Sequence, residues 1–333
     1  MGSHQEQFER HRPLLHPRRH WLGLPVVSQP GETLNEIVND LPHFGRQPFA
    51  MASVNGDDVG VNPFLDMVYK VGTRQGERAV PVGVVSKNYR LVDHHQVLRT
   101  IQQALMDNDL DLETLHVRAQ WTVHGERAHF SILFPPEERF QMNIAGKDDQ
   151  MRFRIEVFNS VDGSCRLMSV AGWLRLVCSN GLIVGTALMQ LQQQHRQQLQ
   201  VEELGRLVRE VIHATDSDKN TFGWWLSTPI TTEALVRWVD EDVHTRWGTK
   251  AAVRMLGIAR SGCDVEPTGN TKNQRPSEIR TRTLGRVLGL DGPVTNIFGI
   301  SQVLSWMAGQ RAEIAEDFEW RSQVQDLMET LTR

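Results

Sequence analysis

The chain lacks long apolar segments, a cysteine framework and an excess of positive charge. None of the apolar runs among its 333 residues reaches the roughly 18 residues that cross a membrane, and no signal peptide is recognisable. The three cysteines have neither metal-binding nor disulfide spacing, which is typical of a reducing compartment. We therefore expect a cytoplasmic protein.

The composition excludes binding of polyanions by bulk charge. Lysine and arginine number 36 against 40 acidic residues, which gives a net charge of −4, so any nucleic-acid site has to be a local patch. Hydrophobic residues make up 40% of the chain, which is enough for a substantial core. The length favours either two domains or one core with large appendages.

The common catalytic and cofactor motifs are also absent: there is no phosphate-binding loop, no G-x-G-x-x-G after a strand, no H-E-x-x-H and no C-x-x-C. Asp93 is expected to cap a short amphipathic helix. His94 and His95 follow it, but adjacent side chains at a helix start point apart, so we expect no shared metal ion. Cys178 alternates with apolar residues, which favours a small buried side chain over a nucleophile. We predict no catalytic residue, no cofactor and no metal.

Residues 151–182 contain the strongest structural signal. Asp162-Gly163 separates two runs of alternating character, which predicts a β-hairpin with a two-residue turn. This turn places Gly172 opposite Phe153 and makes one face of the hairpin wholly apolar. The opposite face is polar and basic, with one tryptophan; it carries Arg152, Arg154, Glu156, Ser169, Ala171, Trp173 and Arg175.

A second hairpin is predicted over residues 115–134, with Gly125-Glu126 as its turn and Phe130 opposite Trp121. One face is again apolar. The opposite face carries His116, Arg118, Gln120, Thr122, Arg127, His129 and Ser131. Two hairpins with matching patterns predict one antiparallel sheet, with one face buried and the other open.

We predict an α+β fold, in which an antiparallel sheet built from hairpins has helices on one face and is followed by a helical C-terminal region. The expected regions are an N-terminal arm with loops (1–80), the α+β core (81–215) and the helical region (216–333). The basic stretch 11–20 is either a tail or a segment that a partner orders. The glutamine-rich start of a helical pattern over 186–214 is either a solvated helix or a surface for self-association.

Two regions offer local positive charge. On the open sheet face, arginines would contact phosphates and a tryptophan would stack on an unpaired base; this set is Arg152, Arg154, Trp173, Arg175 and Arg118. In the alternative reading the C-terminal helices, the last of them predicted over 312–331, cover this face and Trp173 belongs to the core. The second region, 272–286, has five basic residues against one acidic residue, and we expect it on a loop and a helix start. Its candidate contacts are Arg280, Arg282 and Arg286.

Two short motifs resemble a known family. They are N-S-V-D-G-S at 159–164 and R-L-V-C-S-N at 175–180. They are similar to the N-S-H-D-G-S … R-V-V-C-x-N pattern of the phage/plasmid-like proteins, a prokaryotic family of unknown function carried on plasmids, prophages and integrative elements. Val161 replaces the usual histidine, which weakens any role for a histidine there. The segment Val82–Leu91 resembles the family's first strand, and the resemblance covers about residues 80–300.

The order of strand, helix, antiparallel strands and long helix is similar to the fold of single-strand annealing recombination proteins. This resemblance implies a protein of a mobile genetic element that binds and anneals single-stranded DNA, or RNA, as a homo-oligomeric ring or filament, without covalent chemistry. The alternative is a protein-binding accessory or anti-defence factor of a plasmid or phage, without nucleic-acid binding. A third class is an enzyme that uses Asp162 or His129.

Overall fold

The computed structural model describes residues 26–52, 59–72, 77–144, 149–176, 190–195, 199–269, 271–311 and 314–333. Its helices are α1 (Leu34–Asp40), α2 (His94–Met106), α3 (Glu202–Ser227), α4 (Thr232–Trp238), α5 (His244–Ser261), α6 (Ile297–Gly309) and α7 (Ile314–Leu331). Its strands are β1 (Val26–Val27), β2 (Phe44–Ala52), β3 (Val59–Lys70), β4 (Val80–Ser86), β5 (His116–Trp121), β6 (Arg127–Leu133), β7 (Gln141–Asn143), β8 (Gln150–Ser160), β9 (Leu167–Arg175), β10 (Gln190–Gln193), β11 (Cys263–Pro267) and β12 (Thr281–Arg286). The predicted basic arm at 11–20 and Cys178 lie outside the described residues.

The largest sheet is antiparallel and has the strand order β1-β5-β6-β8-β9-β10, with β7 beside β8. Both predicted hairpins, β5–β6 and β8–β9, lie in this sheet, which confirms the prediction of one antiparallel sheet. The apolar face of this sheet packs against α2 and α3. Most of the chain from α3 onward is helical. The predicted α+β fold with a helical C-terminal region is therefore confirmed.

The register of the central hairpin differs from the prediction by one residue. Residues 161–166 join β8 to β9, in place of a two-residue turn. The turn is wider because the carboxylate of Asp162 accepts the backbone N–H two residues ahead at 2.9 Å, while Gly163 takes a φ of 79°. Phe153 therefore lies opposite Trp173. A shift of one residue moves every side chain of a strand to the other face, so Trp173 joins the apolar face.

The β5–β6 hairpin keeps its predicted faces but not its predicted register. Ala119 lies opposite Phe130, two residues from the expected pairing. The connection runs from Thr122 to Glu126 and turns at Gly125, whose φ is 78°. Because a shift of two residues leaves each side chain on the same face, the division into apolar and polar faces is correct.

The prediction that the second face of the sheet is open is wrong. Phe318 of α7 packs edge-on against Phe158, with the ring centroids 4.9 Å apart, and the two rings form a small cluster with Met168 and Val170. The polar side chains of this face are buried as well: Gln120, His129, Ser131, Arg152, Arg154 and Glu156. The second face is therefore a polar part of the interior.

Residues 26–80, predicted as an arm with loops, contain regular structure. The helix α1 begins with a capping box formed by Thr33 and Glu36, and β2, β3 and β4 form a separate antiparallel sheet. The scattered glycines and acidic residues over 51–80 favour loops, which is why this region was predicted without strands. Pro48 and Pro63 lie where the β2–β3 register is irregular, and such positions do not require a backbone donor.

Two further segments also differ from the prediction. Within the glutamine-rich stretch, which was expected to be helical, Gln190–Gln193 form β10, which pairs with β9. The basic segment expected on a loop and a helix start forms β12, which pairs with β11. The predicted domain boundary at 215/216 lies within α3. None of the helices in the described part of the chain combines the length and the apolar character of a membrane span.

Candidate nucleic-acid interface and histidine pocket

Two of the predicted phosphate-binding arginines are buried in β8. Arg152 is 4% exposed, and its Nε donates to the carbonyl oxygen of Phe134 at 3.1 Å. Arg154 is also 4% exposed and forms an ion pair with Glu156 at 2.7 Å. Burial lowers the pKa of both guanidinium groups, that of Arg152 to about 10. The prediction that these arginines lie on an exposed face is therefore wrong.

Trp173 belongs to the core, as the alternative reading of the sequence stated. Its side chain is 0% exposed, and its indole Nε1 donates to the Asp218 carboxylate at 2.9 Å. The ring packs edge-to-face against Phe153 and Phe222, with centroid separations of 5.6 and 6.1 Å. A tryptophan in this environment offers no face to a base from solution.

The remaining arginines of the sheet do not form an exposed track either. Arg175 makes two hydrogen bonds to the Asp149 carboxylate, at 2.7 and 2.6 Å, and donates a third to the carbonyl oxygen of Gly289 at 2.8 Å. Arg118 is half-buried in β5. These contacts fasten the sheet to neighbouring segments.

The second predicted basic region is exposed. β11 and β12 form a two-stranded antiparallel ribbon, hereafter the ribbon, and every residue of β12 is exposed. Arg280 precedes β12, while Arg282 and Arg286 lie within it. Arg282 forms an ion pair with Glu266 across the ribbon. Within the described part of the chain, Arg280 and Arg286 make no ion pair.

The ribbon is fixed to the helical region through β11. Arg254 of α5 makes two hydrogen bonds to Asp264, at 2.6 and 2.8 Å. Val265, which is 3% exposed, packs on α5 at Gly257, where a Cβ atom would lie 2.3 Å from the valine side chain. β11 therefore faces the protein and β12 faces solvent.

The N-S-V-D-G-S motif performs structural tasks. Asn159 donates to the carbonyl oxygen of Val92 at 2.9 Å, and the hydroxyl of Tyr89 donates to the carbonyl oxygen of Ser160 at 3.0 Å. Asp162 pairs with Arg127 at 3.2 Å. These contacts tie the end of β8 to the segment before α2, so they account for the motif without catalysis.

Asp93 caps α2 as predicted, with its Oδ1 accepting the backbone N–H of His95 at 3.0 Å. The two histidines after it have different surroundings. Nε2 of His94 donates to the carbonyl oxygen of Gly125 at 2.7 Å, and Nδ1 accepts from Asn159 at 2.9 Å. Burial lowers the pKa of His94 to about 4. His94 is therefore an interior residue, whereas His95 faces a pocket.

The pocket beside His95 lies between α2 and α3 and has a volume of about 670 Å³. His43, an exposed residue just before β2, stacks on His95 with the ring centroids 4.0 Å apart. Nδ1 of His95 lies 2.7 Å from Oδ1 of Asp93. Burial opposes ionisation of Asp93, but the hydrogen bonds from His95 outweigh it and hold the pKa of this carboxyl below its ordinary value.

The sequence analysis did not find this cluster. His43 lies 50 residues before Asp93, and it follows a short helix in a region predicted as loops. No motif spacing links the two positions. The packing of β2 beside the start of α2 brings them together, and a sequence pattern does not encode that.

Comparison with known proteins identifies a family. The family model described as a domain of unknown function (DUF932) matches residues 81–271. The match runs from β4 to the segment that joins β11 to β12. It includes Asp93 and His95, while His43 and β12 lie outside it. No curated protein and no solved structure matches.

Proposed function

Since the chain belongs to the DUF932 family, a description that names no activity, we propose its function from its own exposed charges: it binds single-stranded nucleic acid through the ribbon. The observation that carries this proposal is that every residue of β12 is exposed. Arginine N–H groups on an exposed strand can donate hydrogen bonds to phosphate oxygens. Several DNA-binding proteins contact DNA through two-stranded ribbons.

The usable charge of the ribbon is smaller than its sequence indicates. Glu266 neutralises Arg282, so Arg280 and Arg286 are the arginines available for phosphates without breaking an ion pair in the described structure. β12 contains no aromatic residue, and Trp173 is buried. The proposed contacts are therefore electrostatic, with little preference for base identity and a strong dependence on salt.

The decisive experiment compares two double variants of equal charge. Arg280→Ala with Arg286→Ala removes the two unpaired arginines of the ribbon. Arg237→Ala with Arg333→Ala removes two exposed arginines elsewhere. Binding of a labelled oligo-dT is followed by fluorescence anisotropy between 50 and about 300 mM salt, with a duplex of the same length as competitor; this range includes the salt at which phosphate contacts dominate.

We expect the ribbon variant to bind roughly tenfold or more weakly at about 0.1 M salt, with a salt slope smaller by about 1.4, because each single-strand phosphate contact contributes about 0.7. The control variant should keep the slope of the native protein. Equal slopes in the two variants would refute the ribbon interface. Absence of binding by the native protein to single strand and duplex alike would refute the proposed function itself.

We also propose the finer attributes that the resemblance implies, namely strand annealing, a place on a mobile genetic element and action without covalent chemistry, together with the cytoplasmic location expected from the cysteine pattern. Self-association belongs to this proposal, because an oligomer multiplies weak phosphate contacts along one strand. Light scattering should then show a species well above 37.9 kDa. A strictly monomeric protein at micromolar concentration, with and without DNA, would remove the ring or filament.

A second candidate, the protein-binding accessory factor, is favoured by a different surface. Three large apolar side chains on β3 and β4 are exposed: Val61, Phe64 and Val84, at 58%, 76% and 48%. Exposed apolar groups of this size are typical of protein contacts. If the native protein bound neither single strand nor duplex and Phe64→Ser abolished its self-association, this candidate would replace the first.

A further inference from the structure

We propose that His43, Asp93 and His95 form a binding site for a divalent transition-metal ion, independent of the ribbon. The nearest ligand atoms of the three side chains lie within 4.8 Å of one another. They come from two separate parts of the chain, the start of β2 and the start of α2. Two imidazoles and one carboxylate are a donor set that first-row transition metals bind well.

The three donors need only a small adjustment to share one ion. Metal bonds to histidine nitrogen and carboxylate oxygen are about 2.0–2.2 Å long, so two ligands of one ion lie at most about 4.4 Å apart. The separation of up to 4.8 Å has to close by a few tenths of an ångström. His43 is exposed, and rotation of its ring, which now stacks on His95, can supply this movement.

Asp93 and His95 are already held in place. Oδ1 of Asp93 accepts the backbone N–H of His95 at 3.0 Å and lies 2.7 Å from its Nδ1. An ion held by both side chains takes the place of the proton between them, so Nδ1 is the ligand atom of His95 and Nε2 carries the proton of the neutral ring. The Asp93 carboxylate supplies the second ligand atom beside Nδ1. The 2.7 Å contact then widens by a few tenths of an ångström, because two adjacent ligands of one ion lie about 3.0–3.4 Å apart.

The site leaves coordination positions open to the pocket. Three protein ligands with a free position are the arrangement that admits water or a small ligand. Arg99, one turn along α2 from His95, lines the pocket, is exposed and has no ion pair within the described residues, and Arg209 of α3 pairs with Asp107 at 3.6 Å. These cations suit an anionic group bound to the ion.

The test uses the full chain, stripped with a chelator and titrated with Co²⁺ and with Zn²⁺. His43→Ala removes a ligand whose side chain is exposed, so the fold should be unaffected. Asp93→Asn removes the charge but keeps a good helix cap, since asparagine caps as well as aspartate. The matched control is His213→Ala, which removes an exposed histidine of α3. Histidines at 4, 11, 16 and 20 are common to all four proteins and cancel in the comparison.

We expect one high-affinity equivalent of metal, with Co²⁺ absorption bands that shift in the variants. His43→Ala and Asp93→Asn should each weaken binding at least tenfold, a loss of the size seen when metal-site residues are removed. His213→Ala should bind as the native protein does. If His43→Ala and Asp93→Asn, with native circular dichroism, bind as tightly as the control, or if no stoichiometric binding occurs, the site does not exist.

Discussion

The arginines of β8 and those around β12 share a sequence pattern and differ in surroundings. Arg152 and Arg154 occupy alternate positions of β8 and are each 4% exposed. Arg280, Arg282 and Arg286 are also spaced by even numbers of residues, and all are exposed. β8 is an inner strand of a sheet covered on both faces, whereas β12 is the outer strand of a two-stranded ribbon.

Alternation of side chains identifies a strand, but it does not show whether a face of that strand is exposed to solvent or buried. A buried arginine needs a partner for its charge and its donors. Arg154 has the carboxylate of Glu156, two residues away on the same strand, and Arg152 has a backbone carbonyl group. Arg280 and Arg286 have no such partner in the described residues, which agrees with their exposure.

The largest expected effect is on the buried tryptophan. Trp173→Ala should lower the free energy of unfolding by about 3–5 kcal/mol, because it opens a cavity and leaves Asp218 without its indole donor. Trp224, which is 48% exposed, provides the matched control, and Trp224→Ala should cost less than about 1 kcal/mol. Urea denaturation measures both. Similar losses in the two variants would contradict the burial of Trp173.

The second test compares an interior ion pair with an exposed one. Arg154→Ala removes the ion-pair partner 2.7 Å from the buried Glu156, with Arg321 remaining as the other buried cation near this carboxylate, and should cost about 3 kcal/mol. Arg282→Ala breaks the pair with Glu266, whose members are 70% and 42% exposed, and should cost about 0.5 kcal/mol or less. Equal urea midpoints for the two variants would show that Arg154 reaches solvent.

The third test uses thiol reactivity near the sheet. Burial raises the pKa of the Cys165 thiol well above its ordinary value, to about 11. The thiolate is the nucleophile, so at pH 8 Cys165 should react with iodoacetamide about 100-fold more slowly than an unperturbed cysteine. The rate should rise about tenfold per pH unit toward pH 11. Peptide mapping by mass spectrometry follows the residue; a plateau near pH 9 would show that the pKa of Cys165 is not raised.

The smallest effect concerns the turn beside β9. Gly163 has a φ of 79°, in the left-handed region that favours glycine, so Gly163→Ala should cost about 1 kcal/mol. Gly285 of the ribbon lacks this conformation and has open space around its Cβ position, so Gly285→Ala should change stability by less than about 0.5 kcal/mol. Thermal melts compare them. Equal melting temperatures would mean that Gly163 is unconstrained in solution.

Register was the main error of the sequence analysis, and it had a large consequence. The pair Asp162-Gly163 lies in a turn in the structure. Among the described residues other than glycine, only Asp109 and Asn273 have a positive φ, so Asp162 has a negative φ. A type I′ turn needs positive φ at both positions. The longer connection shifts β9 by one residue and carries Trp173 into the core.

The N-terminal sheet and the histidine cluster were missed for different reasons. The scattered glycines and acidic residues over 51–80 favour loops, and the pairing of β2, β3 and β4 with one another overrides this local preference. His43 carries no local signal at all, because its relation to Asp93 depends on how two distant segments pack.

Short-range periodicity and the backbone preferences of single residues were enough to predict the α+β class, both hairpins, the cap at Asp93 and the final helix. The positions of the basic residues along the chain can likewise be read directly. Which of these basic residues contact solvent depends on long-range packing: Phe318 of α7 packs on one face of the large sheet, while β12 lies at the outer edge of the ribbon. Burial is a property of what packs against a residue, and that partner lies far away in the sequence.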